Sequence, residues 1–102
     1  MSSKLDALLK TLEKKNSPTE DVTVIHKNDG VVAYVEVDKK LTDKEKLEIA
    51  FVKTNSIDSP WWENDKVTPM FLNGSCRSTS VGDHALVGIT KYVCDPVGWS
   101  VS

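Results

Sequence analysis

Cysteine is scarce in this chain, and the two present, Cys76 and Cys94, do not stand at the two-residue spacing of a redox or zinc pair. A disulfide-stapled secreted fold is therefore not expected, and the thiols read first as small, reduced, buried hydrophobes, with a disulfide between them as the next reading. A metal site of Cys76, His84 and Cys94 would lack the short ligand pairs that structural zinc prefers. Long apolar runs are missing too. No stretch approaches the ~18 residues that a membrane span requires. The opening Met1-Ser2-Ser3-Lys4-Leu5-Asp6 goes straight into leucines interrupted by charges, without the continuous apolar core of a signal peptide. The expected location is the cytoplasm, and Asn73-Gly74-Ser75 then reads as a turn rather than a glycosylation site. There is also no excess of positive charge: thirteen basic residues face fifteen acidic ones, for a formal charge of −2. A duplex-binding protein carries a basic face whose counterion release drives affinity, so direct DNA binding is not expected.

What is present is an ordinary globular composition, 39% apolar and 27% charged over 102 residues. That size and balance imply one domain with a core of its own. Leu5, Leu8, Leu9 and Leu12 recur at helical spacing and predict an amphipathic helix from about Ser3 to Lys15, stopped by Pro18. Such a terminal helix packs on the core, and it can also be lent to a homodimer. Two β-branched runs, Asp21 to His26 and Val31 to Asp38, flank Lys27-Asn28-Asp29-Gly30 and predict a hairpin, with His26 at a solvated strand end. In Leu41-Thr42-Asp43-Lys44-Glu45, Thr42 and Glu45 can form a capping box, which starts a second helix carrying Leu47, Ala50, Phe51 and Thr54 on one stripe.

Ile57 to Lys66 reads as a loop with one helical turn started by Ser59-Pro60. It carries Trp61 and Trp62. Sequential residues point in different directions, so one ring is expected in the core and the other, Trp62, partly exposed and available for recognition. Val67 to Leu72 and Ser75 to Ser80 flank Asn73-Gly74 and predict another hairpin, with Pro69 at an edge. Ala85-Leu86-Val87 and Tyr92-Val93-Cys94 form a closing hairpin, and Trp99 covers the sheet. The expected fold is α+β, two helices on a mainly antiparallel sheet of about five or six strands.

Polar chemistry concentrates in Arg77-Ser78-Thr79-Ser80-Val81-Gly82-Asp83. A phosphate loop needs several glycines, a Lys-Ser/Thr pair and a following helix, and here one glycine precedes strand-forming residues. A looser anion site remains, with Arg77 offering its fork and Ser78 and Ser80 assisting. Catalytic sets from Ser80, Asp83 and His84, or from Cys76 with His84, have residue types without the geometry, because Asp83 and His84 project to opposite sides of an extended chain. No cofactor or metal signature is complete. The alternative to chemistry is a structural turn in which Asp83 bonds local amides.

Lys46-Leu47-Glu48, Thr54-Asn55, the tryptophans, the Arg77 to Asp83 string and Val97-Gly98-Trp99 together resemble a loose group of short uncharacterised proteins of bacteriophages and bacterial mobile elements. The resemblance covers roughly the second half of the chain. It implies a small accessory protein of phage type, acting in the host cytoplasm and without an assigned activity. The leading expectation is a non-enzymatic protein that binds a host or phage protein through Trp61 or Trp62 and the Arg77 to Asp83 edge. The alternative is a small-ligand or nucleotide-binding domain using Arg77 and its neighbouring hydroxyls.

Overall fold

A computed structural model describes residues 18–56 and 59–102. Among them run strands β1 (Thr19–His26) and β2 (Gly30–Asp38), helix α1 (Asp43–Lys53), a 3-10 turn (Trp61–Glu63), and strands β3 (Val67–Pro69), β4 (His84–Val87), β5 (Thr90–Asp95) and β6 (Gly98–Val101). The class is α+β, as expected. The six strands form one sheet in the order β3-β2-β1-β4-β5-β6, with antiparallel neighbours throughout. The helix expected from Ser3 to Lys15, and any dimer made through it, lie outside the described residues. No helix among the described residues is long and apolar enough to cross a membrane.

The β1–β2 hairpin forms where the turn chemistry places it. Asn28 and Gly30 take positive φ, 76° and 79°, which asparagine and glycine tolerate best. Alternation then sends Val22 and Val24 of β1 and Ala33, Val35 and Val37 of β2 to one buried face. Helix α1 lies across that face. Its capping box is complete: the Glu45 amide donates to Thr42 Oγ1 (3.2 Å), and the Thr42 amide donates to Glu45 Oε1 (3.0 Å). Leu47, Ala50 and Thr54 are buried beneath it. The aliphatic stem of Lys46 is buried as well, its ammonium paired with Glu20.

Two expectations fail in instructive ways. Asn73-Gly74 does not join a hairpin: β3 is three residues long and pairs with β2, and residues 75–80 are in no strand. Met70 still donates to the Val32 carbonyl at 2.8 Å, and beyond it the backbone is drawn off by bonds to Trp61, described below. Nor does Trp99 simply cover the sheet. It belongs to β6, pairs with Cys94 of β5, and meets Phe51 of α1 edge to face at 6.4 Å.

This topology creates the feature on which the rest depends. The chain must travel from β3, at one edge, past the end of the β1–β2 hairpin to reach β4 on the far side of β1. Residues 70–83 make that crossing without regular structure.

Candidate functional site

The crossover is fixed by buried side chains rather than by strand pairing. Trp61, fully buried in the turn after α1, donates its indole N–H to the carbonyls of both Cys76 (3.1 Å) and Arg77 (3.0 Å). Its ring packs edge-on against His26, Trp62 and Phe71, with centroids at 6.3, 5.7 and 5.6 Å. Trp62 is half-buried and also stacks edge-on with Phe71. The two tryptophans therefore divide as expected into a core ring and a partly exposed one, and Trp61 cannot itself touch a partner.

Asp83 is the second anchor. It is 1% exposed, and both of its oxygens are saturated. Arg77 donates through both terminal nitrogens to the two carboxylate oxygens, each at 2.7 Å, while the Lys27 amide (2.8 Å) and the Ser80 amide (2.7 Å) complete the set. Burial alone would raise this carboxyl's pKa, but the Arg77 fork and the two amides outweigh burial and hold it down at about 2. The Arg77 guanidinium, still 43% exposed, also donates to Ser80 Oγ and the Ser78 carbonyl. Ser78 Oγ accepts from the Ser56 amide at 2.9 Å. Arg77, Ser78, Ser80 and Asp83 thus do come together, but chiefly to satisfy one another. Gly82, at φ 97°, lets the chain turn into β4 while its amide donates to the Cys94 carbonyl.

The structure corrects the reading of His26. It is not a solvated strand end but 1% exposed, in phase with buried Val22 and Val24. Its tautomer follows from counting protons. Thr54 Oγ1 donates its only proton to the Ala50 carbonyl at 2.7 Å, so the 2.8 Å contact between Thr54 and Thr79 requires Thr79 to be the donor. Thr79 then has no proton left, and its 2.8 Å contact with His26 Nε2 must be an Nε2–H donating to the hydroxyl. Burial lowers the His26 pKa below its ordinary 6.5, against a weaker opposing pull from the Asp83 carboxylate 3.9 Å away, so the ring is neutral near pH 7. Its Nδ1 is then an acceptor, and it faces Cys76 Sγ at 3.6 Å.

Sequence reasoning considered Cys76 with His84 and missed His26, fifty residues before Cys76. Both cysteines are free thiols, Cys94 buried in the core and Cys76 half-buried. No group of three or more potential metal ligands occurs among the described residues. Beside Cys76 opens a groove of about 480 Å3, lined by Asp29, Val31, Met70, Phe71, Leu72 and Arg77, among others. Comparison with protein families, curated proteins and solved structures finds no match to this chain.

Proposed function

We propose that this protein is a binding module, a small accessory protein of the phage type its resemblance implies, and that its partner is another protein docking on the groove beside the crossover. The observation that supports this reading is the pairing of exposed apolar side chains with a rigid base. Val31 and Met70 stand exposed around the groove on backbone tied into β2, Leu72 is exposed beside them, and Trp61 and Asp83 fix the segment of residues 76–83 that forms the far side. A fixed apolar rim loses little entropy when it is covered, which is the condition under which exposed hydrophobes contribute to binding. The occupant that fits is an extended segment with a bulky apolar side chain for Val31, Met70 and Phe71, and with backbone groups for Asn73, Ser75 and Arg77. Of the residues first singled out, Arg77 lines this groove, and Trp62 supports it from outside by packing on Phe71.

The test uses two equally exposed positions. Leu72 borders the groove, and Ile89 lies in the β4–β5 turn. With a partner captured from bacterial lysate on the intact protein, Leu72→Asp is expected to weaken binding roughly 30-fold, the ~2 kcal/mol of an apolar hot spot, and Ile89→Asp to leave it unchanged. Equal losses at both positions would refute the groove as the docking site.

The alternative reading, a small-ligand or nucleotide site on Arg77 and its hydroxyls, requires an anion to displace Asp83 from the guanidinium fork. The groove is large enough for a small ligand, but the fork is already filled.

A further inference from the structure

We infer that Cys76 and His26 form a nucleophile and base pair that takes an acyl group from an activated ester or thioester bound in the groove. The inference rests on the geometry of the pair and does not depend on a protein partner docking there. Three kinds of chemistry are open to a partly exposed cysteine, and the surroundings separate them. Disulfide exchange within the chain needs a disulfide for the thiol to attack, and Cys76 and Cys94 are both free. Metal binding needs three or four clustered ligands, and no such cluster exists among the described residues. Nucleophilic attack needs a base within reach of the thiol, oriented by a third group, and that set is present.

The base is prepared by the fold. The hydroxyl relay from the carboxyl end of α1 through Thr54 and Thr79 holds the ring as its Nε2–H tautomer, leaving the Nδ1 lone pair to face Cys76 Sγ at 3.6 Å. Trp61 packs against the ring, and the carbonyl of Cys76 accepts from the same indole, so nucleophile and base are both tied to one buried residue. Thr79 is a positioning residue in this scheme. Arg77 also lines the groove, with its fork held by Asp83.

In the reaction, the Cys76 thiol proton passes to His26 Nδ1 as Sγ bonds to the acyl carbon. The tetrahedral oxyanion collapses, the bond from carbon to the alkoxide or thiolate breaks, and the leaving group takes the proton back from His26. The products are an acyl thioester on Cys76 and a free alcohol or thiol, with no change in oxidation state. Burial raises the thiol and lowers the imidazole, so both rest neutral near pH 7 and the proton moves during attack rather than beforehand. The charged groups acting on His26 are Asp83 and Asp29, which favour its protonation, and Arg77, which opposes it.

The test is acylation of the full chain by p-nitrophenyl acetate, followed by peptide mass spectrometry, with buried Cys94 as the internal control. Cys76 should be acylated about 100-fold faster at pH 7 than the same thiol in the urea-unfolded chain, the low end of what a positioned base contributes. The rate should be nearly level around pH 7, where neutral His26 serves as base, and fall on an acid limb below pH 6.5, where His26 takes up a proton. His26→Gln should lose the enhancement at pH 7 and approach the rate of the unmodified protein at alkaline pH, where the thiolate forms unaided. A melting curve establishes that this variant folds; should it not, the acid limb of the unmodified protein decides. A rate on Cys76 equal to that of the unfolded chain, or one that falls about tenfold per pH unit throughout as thiolate does, with no level region near pH 7, would overturn the inference.

Discussion

The β1–β2 hairpin with α1 and the crossover around Asp83 are held by different physics. In the first, each residue's partner is near in sequence or follows from alternation: Asn28 and Gly30 make the turn, Thr42 and Glu45 cap the helix three residues apart, and the valines alternate onto one face. In the second, local bonds from Arg77 and Ser80 to Asp83 are joined by partners that are remote. Asp83 bonds the amide of Lys27, fifty-six residues away, and His26 bonds Thr79, fifty-three away. The first region gains its stability from apolar burial, which tolerates exchange of one hydrophobe for another. The second gains its order from buried polar groups that must all be paired, and one missing member leaves the others unsatisfied. The difference teaches that the crossover is the specific part of the molecule and the more fragile one.

The sharpest way to break that contrast is at Asp83. Asp83→Ala leaves two amides without their acceptor and frees the Arg77 fork, and is expected to lower stability by about 3 kcal/mol in denaturant melts. Acid should reproduce part of this without mutation. The unfolded Asp83 takes up a proton near 3.8 and the folded one only near 2, so this contribution, about 2 kcal/mol, is fully present above pH 4 and is lost as the pH falls from about 4 to 2. His26 acts in the same direction at higher pH. Its folded pKa lies below 6.5, so the unfolded chain binds a proton that the folded one refuses, and stability begins to decline as the pH falls below 6.5. A stability profile flat from pH 7 down to 2 would show that neither group is held as described.

The smallest effect belongs to the local region. Thr42→Ala should cost about 1 kcal/mol, the usual loss for a helix cap, and leave the reactivity of Cys76 unchanged. A larger loss, or a change at Cys76, would mean that the two regions are coupled more tightly than their contacts indicate.

The same division decides what could be read from the sequence. The first hairpin, the capping box, the closing β4–β5 hairpin and the split between Trp61 and Trp62 all rest on local spacing, and each was legible. His26 was not, although its signal existed: it continues the alternation of Val22 and Val24, and a strict period of two assigns it to the buried face. What no spacing discloses is that Thr79 arrives to accept its proton. The Asn73-Gly74 turn misled for a related reason, since a strong local signal gave way to the long-range bonds from Trp61 to Cys76 and Arg77. Arg77 and Asp83 were recognised as a polar centre, but their mutual satisfaction depends on a fork geometry visible only in three dimensions.

The chemistry inferred for Cys76 passes through the proton on His26. Nitrogen-15 chemical shifts of the imidazole, recorded at pH 7 on the uniformly labelled protein, report it directly. A neutral ring protonated at Nε2, with a bare Nδ1 toward Cys76, is the result expected from the relay through Thr79 and Thr54. A ring protonated at Nδ1, or an imidazolium at that pH, would contradict both the buried network and the chemistry built on it.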